Sequence, residues 1–356
     1  MNKLKIVVYA ITKNEEKFVN RWVDSMSEAD EIYVLDTGST DKTVKLLKKR
    51  GVNVFQKKYK EWRFDVARND SLNLVPSDVD LCVCTDLDEV FETGWRKKLE
   101  ESYDGSTRVK YNYNWSLDEV NKPLVNFYIE KIHIRNGYKW THPVHEVLTP
   151  IDIEEKTLII DDLTLNHYPD STKSRSSYLP LLELSVKEEP MDDRNMHYLG
   201  REYMYYSMWE KCISTLIKHL NLESATWKDE RCASMRFIAR SYKNLGRFEE
   251  AKLWYKKACK EASYLREPLV ELAILYSEYG EWEKVIKYLI KAKRIKEKYK
   301  SYINEIFAWD NTLDDLLSIA YFNLGLKEEA LFYVEKALEE KPNDVRLLNN
   351  KELMEM

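Results

Sequence analysis

The sequence predicts two unlike folds in one chain. An α/β domain on a mostly parallel sheet is expected over 1–170, a linker over 171–192, and an all-α domain of repeated helices over 193–356. Three observations predict this. Short apolar runs alternate with helix-like stretches through the first half. One of them, Asp80-Leu81-Cys82-Val83-Cys84-Thr85-Asp86-Leu87-Asp88-Glu89, ends in three carboxylates within four residues. From about Asp192 a short pattern recurs at a fixed period.

Ile6-Val7-Val8-Tyr9-Ala10-Ile11 reads as a buried strand, and Thr12-Lys13-Asn14-Glu15-Glu16 as the opening of a helix to about Met26. Thr12 and Asn14 can cap that helix, and its early glutamates suit the positive end. Ile32-Tyr33-Val34-Leu35 is a second strand ending at Asp36-Thr37-Gly38-Ser39-Thr40-Asp41, with Asp41 read as the cap of a helix to about Arg50. Val52-Asn53-Val54-Phe55 is a third strand, and a helix over Phe64 to Leu74 leads to the fourth. Such alternation implies parallel strands joined by right-handed crossovers. Ligands on these sheets bind beyond the strand C-termini, where Asp36 and Asp86 both fall. Carboxylates at such an edge suit Mg²⁺ or Mn²⁺, shared with substrate phosphates.

After Arg108 the pattern loosens. Val109 to Tyr113 and Tyr128 to Ile134 alternate as half-buried strands, and Tyr138-Lys139-Trp140-Thr141-His142-Pro143-Val144-His145-Glu146 gathers aromatics, histidines and an acid. His167-Tyr168 closes the half before a boundary at Ser171-Thr172-Lys173-Ser174.

In the second half, Leu245-Gly246-Arg247-Phe248-Glu249-Glu250-Ala251 recurs 34 residues on as Tyr279-Gly280-Glu281-Trp282-Glu283-Lys284-Val285. It returns as Leu324-Gly325-Leu326-Lys327-Glu328-Glu329-Ala330 after eleven extra residues, and Tyr206-Ser207-Met208-Trp209-Glu210-Lys211-Cys212 is a divergent first copy. Period and small or aromatic positions (Tyr242, Ala251, Tyr255, Ala258; Tyr321, Ala330, Ala337, Pro342) resemble tetratricopeptide repeats. Such stacks offer a concave surface for peptides; buttressing the first domain or forming a homodimer interface are the other readings.

Composition narrows the class. With 33% charged and 44% hydrophobic residues and a net charge of −5, nothing recommends nucleic acid as partner. The five cysteines are odd in number and lack metal-site pairing; Cys82 and Cys84 share one strand face, which favours packing and a reducing compartment. The apolar run Ile6 to Ile11 is too short for a signal peptide or membrane span, so a cytoplasmic protein is expected.

Four motifs in order, Thr12-Lys13-Asn14-Glu15-Glu16, Asp36-Thr37-Gly38-Ser39-Thr40-Asp41, Arg68-Asn69 and Asp86-Leu87-Asp88-Glu89, resemble those of family 2 glycosyltransferases with the GT-A fold, over about 4–170. Coupling to C-terminal repeats is similar to a bacterial subgroup that includes peptide S-glycosyltransferases of glycosylated bacteriocins. The same N-terminal motifs also resemble lipopolysaccharide-core glucosyltransferases, which usually lack repeats.

The resemblance implies a UDP-sugar donor. Asp36 would accept from the uracil imide, Thr12 and Glu15 would line the nucleoside pocket, and Gly38 would allow close backbone approach. Arg68 would pair with a phosphate, the alternative being an ion pair on the helix surface. Asp86 would contact ribose or metal and Asp88 the metal, with His167 as a third ligand. The acceptor's base would be Glu146, or His145 beside it, and Trp140 would either stack on a sugar or fill the core. A glycosyltransferase acting on a polypeptide or an envelope glycan is implied, against a non-catalytic scaffold built on the repeats; the absence of a basic membrane-binding helix favours polypeptide.

Overall fold

The structure is a computed structural model that describes residues 3–170, Thr172 and 178–356. It divides into two units, Met1–Ser185 with Lys300–Tyr302, and Val186–Tyr299 with Ile303–Met356.

Seven buried residues, Ile6–Thr12, make β1, central because every side chain has an apolar layer to enter. It is followed by α1 (Val19–Met26), β2 (Glu31–Asp36), α2 (Thr43–Lys49), β3 (Asn53–Gln56), α3 (Phe64–Asn73) and β4 (Leu81–Cys84). These strands pair in parallel in the order β3-β2-β1-β4. Then come β5 (Glu89–Phe91), α4 (Trp95–Ser102), β6 (Arg108–Leu117), β7 (Pro123–Ile134), β8 (Tyr138–Thr141), β9 (Val147–Pro150), β10 (Thr157–His167) and α5 (Tyr178–Glu188). The sheet continues beyond β4 as β7-β6-β10-β5, where antiparallel pairings enter, and β8-β9 form a separate hairpin. The expected α/β sheet is therefore parallel in its first half and mixed in its second. The α5 helix runs where a linker was expected, and of the boundary Ser171-Thr172-Lys173-Ser174 only Thr172 is among the described residues.

The two faces of the sheet bury different sets. Val8, Ala10 and Val83 point into one layer with Trp22, Trp95 and Leu99. Val7, Tyr9, Cys82 and Cys84 point into the other with Tyr138 and Trp140. The period of two along each strand produces this separation. All five cysteines are free and buried, as packing predicts.

The second unit is helical: α6 (Asp193–Tyr205), α7 (Trp209–Leu220), α8 (Lys228–Asn244), α9 (Phe248–Glu261), α10 (Glu267–Ser277), α11 (Trp282–Arg294), α12 (Thr312–Asn323), α13 (Lys327–Glu340) and α14 (Val345–Glu355). The recurrent motif marks the turn inside each helix pair. Gly246, Gly280 and Gly325 have φ of 72°, 68° and 74°, a conformation that costs glycine nothing. In the divergent first copy Ser207 takes the same conformation at φ 56°. One hydrogen bond repeats across all four turns: the N–H of Met208, Arg247, Glu281 and Leu326 donates to the carbonyl of Tyr203, Tyr242, Tyr276 and Tyr321. The eleven extra residues fall between α11 and α12, where Ile306–Ala308 form one 3₁₀ turn. No helix among the described residues is long and apolar enough to cross a membrane.

Candidate active site

Thr12 and Asp36 are register partners at the C-terminal ends of β1 and β2, and β4 ends just before Asp86. Parallel strands bring these three ends to one edge of the sheet although they are far apart in sequence.

The first two motifs are knitted to each other. Asn14 N–H donates to Ser39 Oγ (2.9 Å), Asn14 Oδ1 accepts from Thr40 N–H (2.7 Å), and Glu16 Oε2 accepts from Lys42 N–H (2.8 Å). Asp41 accepts from Glu16 N–H (3.1 Å) as well as from Thr43 N–H (2.9 Å), so it ties the loops together besides serving α2. These bonds correct the expected capping of α1. Its first residue is Val19, Thr12 belongs to β1, and Asn14 sits at φ 55° with its side chain spent on the second motif.

Asp36 is fully buried; its oxygens accept from Gly38 N–H (3.2 Å), Ser39 N–H (3.1 Å) and Gln56 Nε2 (3.2 Å). Its role in the structure is to hold that turn. Gly38 has φ 114°, and a Cβ there would meet Lys58 Cγ only at 3.5 Å, so conformation rather than crowding demands glycine. Beside Asp36, Thr12 Oγ1 is buried without a hydrogen-bond partner, an acceptor and donor left over for a ligand. Glu15 is buried in the same loop, its N–H donating to Thr43 Oγ1 (2.7 Å).

The α3 helix organises the other side of the site. Arg68 is 3% exposed and gives Nε to Glu146 Oε1 (2.9 Å), Nη2 to Asp86 Oδ1 (2.5 Å) and Nη1 to Cys84 Sγ (3.5 Å). In place of the expected phosphate, the protein itself occupies the guanidinium on both edges. Asn69, next in the motif, clamps the backbone of Trp140 through both amide atoms, each at 2.8 Å. Phe64 N–H donates to Pro143 O (2.9 Å). Three successive contacts of α3 thus position the loop that carries His145 and Glu146. Trp140 is a core residue: it is 3% exposed, and its Nε1 donates to Tyr9 OH (2.9 Å), which lies 2.8 Å from His133 Nε2. A sugar cannot reach its face. His145 has φ 52°, a strained conformation for a residue with a Cβ, and its ring packs 5.8 Å from that of Tyr178.

The acidic turn is held by Glu89, the third carboxylate of its own motif, and by Lys131, to which sequence reasoning gave no role. Glu89 is buried and accepts from Asp86 N–H (2.8 Å), Tyr113 OH (2.9 Å) and Lys131 Nζ (3.1 Å). Lys131 also reaches Asp86 Oδ2 at 3.3 Å. Burial works to raise the Asp86 carboxyl, but Arg68 and then Lys131 hold it well below the usual range. Burial pushes Glu89 upward, against the pull of Lys131. The only sequence signal for Lys131 was a lysine inside an alternating strand, which is weak by itself.

Both Asp86 oxygens face cations, and the expected trio Asp86, Asp88 and His167 is not among the described groups whose ligand atoms all lie within 4.8 Å of one another. Asp88 and His167 do pair. His167 Nε2 lies 3.5 Å from Asp88 Oδ2, and Nδ1 lies 3.0 Å from the Trp115 carbonyl. A carbonyl can only accept, so Nδ1 carries the proton in the neutral ring and the Nε2 lone pair then faces a carboxylate. Two electron-rich atoms in that position need a shared proton or a cation between them. In the protein alone a proton is favoured: burial lowers the His167 pKa, but Asp88, the Trp115 carbonyl and Glu89 together turn the net shift upward. The same donor set fits a divalent ion.

Comparison with known proteins accords with this geometry. Residues 7–143 match the family described as Glycosyl transferase family 2, and residues 237–263 and 316–344 match Tetratricopeptide repeat. No curated protein matches the chain. Solved structures with some similarity include MamA (18% identity, 50% of this chain and 99% of that one, TM-score 0.39). Others are pilF of Pseudomonas aeruginosa (10%, 48% and 70%, 0.39) and a tetratricopeptide repeat protein from Parabacteroides merdae (17%, 50% and 65%, 0.39). The α/β half of the chain is thus similar over residues 7–143 to family 2 glycosyl transferases, and the helical half is similar over two stretches to tetratricopeptide repeats.

Proposed function

We propose that this protein transfers a hexose from a UDP-sugar to the side chain of a peptide or protein, at Cys or Ser/Thr, with inversion at the anomeric carbon. The observation that carries the reading is the meeting of Thr12, Asp36 and the Asp88–His167 pair along one sheet edge, within a segment matching family 2 glycosyl transferases. Thr12, Glu15 and Asp36 take the nucleoside. Asp88 and His167 would hold Mg²⁺ or Mn²⁺, which when bound would supply positive charge to the diphosphate.

Glu146, or His145 next to it, takes the proton from the acceptor O–H or S–H. The freed oxygen or sulfur bonds to the anomeric carbon while the bond from that carbon to the phosphate oxygen breaks, its electron pair leaving with UDP. Arg68 keeps Glu146 in place for this and holds the Asp86 carboxylate through a second ion pair. The repeats are read as the surface that presents the acceptor.

UDP-sugar hydrolysis and peptide transfer, followed with Mn²⁺ and with excess EDTA in the wild type and in Asp88→Ala, test the proposal. Activity with Mn²⁺ that disappears in EDTA and in the variant is expected. Full activity in EDTA overturns the metal assignment. Neither UDP binding nor hydrolysis under any condition would mean a scaffold, and transfer only to envelope glycans would replace the peptide.

A further inference from the structure

The helical unit contains a buried cluster that sugar transfer does not use. His197 on α6, His219 on α7 and Glu230 on α8 each offer a ligand atom, and these atoms lie within 4.8 Å of one another. Both rings have no solvent exposure, and Glu230 has 5%. Ser234, one turn beyond Glu230, stands between the rings. Its Oγ is 2.7 Å from His197 Nδ1 and 3.0 Å from His219 Nδ1. A hydroxyl oxygen has two lone pairs, so it can accept from both Nδ1–H groups at once, and that arrangement leaves the Nε2 lone pair of each ring for a ligand.

The far nitrogens are what the hydrogen bonds leave over. His219 Nε2 faces Glu230 Oε1 at 3.4 Å, and His197 Nε2 has no hydrogen-bond partner although the residue is wholly buried. An interior nitrogen with an idle lone pair, or an idle N–H, is costly and calls for an explanation. The ring centroids are 5.5 Å apart, close enough for both to face one centre.

We propose that His197, His219 and Glu230 bind a zinc-class divalent transition-metal ion through the two Nε2 atoms and the carboxylate, with a water as the fourth ligand and Ser234 fixing both rings from the Nδ1 side. Bonds of about 2.0–2.2 Å in a tetrahedron set ligand atoms about 3.3 Å apart, so no pair need close by more than about 1.5 Å, within the reach of side-chain rotation. Two imidazoles and one carboxylate favour such an ion over Mg²⁺, unlike the oxygen-rich surroundings of Asp88. The three ligands come from three successive helices, so the ion would clamp the first helix pair to the next.

The test is Co²⁺ titration of the full-length chain carrying Asp88→Ala, which removes the other cation site. A tetrahedral visible absorption band saturating at about one equivalent and bleached by Zn²⁺ is expected. Thermal unfolding should move upward with Zn²⁺ and not with Mg²⁺. Adding His197→Gln or Glu230→Gln should abolish both the band and the shift. Glu230→Gln keeps both rings, so it decides the matter should the histidine variant fail to fold. No band at excess Co²⁺, or uptake unchanged by these substitutions, overturns the site and leaves the cluster as a hydrogen-bond network only.

Discussion

Arg68 Nε lies 2.9 Å from Glu146 Oε1, a contact between residues 78 positions apart that ties the candidate base to a helix behind the sheet. The same guanidinium holds Asp86, so one buried cation fixes two carboxylates beside the acidic strand end. Arg68 is a positioning residue in this arrangement.

Removing Arg68 should therefore harm stability as well as rate. Arg68→Ala strands Glu146, whose side chain is 13% exposed, and frees Asp86 on its Arg68 side. Breaking a buried pair from one end costs about 3–5 kcal/mol, and Arg68→Lys should recover part of it by restoring the charge without the fork. Urea unfolding of the three proteins is the measurement. Equal stability for all three would mean the ion pairs are idle.

Glu146→Gln keeps the shape of the side chain but cannot accept a proton. UDP-sugar affinity should persist while turnover falls by roughly 10²–10⁴-fold. For a thiol acceptor, whose pKa is about 8.5, the loss should be smaller and shrink as pH rises. Rates against pH for Glu146→Gln and His145→Ala separate the two candidates. A normal Glu146→Gln beside a dead His145→Ala with intact donor binding assigns the base to His145.

Asp36→Ala removes the acceptor for three donors of the second-motif turn and its strand neighbour. UDP affinity should drop by on the order of 1–3 kcal/mol, through loss of a buried hydrogen bond. Calorimetry with UDP reads this directly. Unchanged affinity would place recognition of the base elsewhere, and a preference for GDP would defeat the uracil assignment.

Gly200, inside α6, has no room for a side chain: a Cβ there would fall 2.2 Å from Leu216 Cδ2 and 2.4 Å from its Cγ. Leu216 is fully buried, so it has nowhere to retreat. Gly200→Ala gains about 1 kcal/mol of helix propensity, yet overpacking costs about 1–3 kcal/mol and more for a clash reaching Cγ. Net destabilisation is expected, with a lower thermal midpoint than wild type. A higher midpoint would show that α6 and α7 can part without penalty.

The four ordered motifs were legible in the sequence because each is local: a strand end, its turn and the next helix carry their own hydrophobic period and loop chemistry. The helix pairs were legible for the same reason. Each turn needs a left-handed residue at one place, and even the divergent copy with Ser207 could be aligned by its flanking residues. What α3 does was not legible. Nothing near Arg68-Asn69 in the chain announces that one side chain will face Glu146 and the next will clamp Trp140, since both partners come from a hairpin some seventy residues later.

By itself the sequence determined the alternation of strands and helices, the acidic strand end and the repeat period, all properties of short segments. Tertiary structure decided which carboxylates are available. Asp86 is claimed by Arg68 and Lys131, Asp36 braces its own turn mainly through Oδ2 while Oδ1 takes a single donor, and Asp88 is left facing His167. It also decided that Trp140 is core and that His197, His219 and Glu230 meet inside the helices. The reason is physical: a charged or polar side chain takes its role from the partners that burial brings within about 3 Å of it, and those partners are set by sheet order and helix packing rather than by neighbours in the chain.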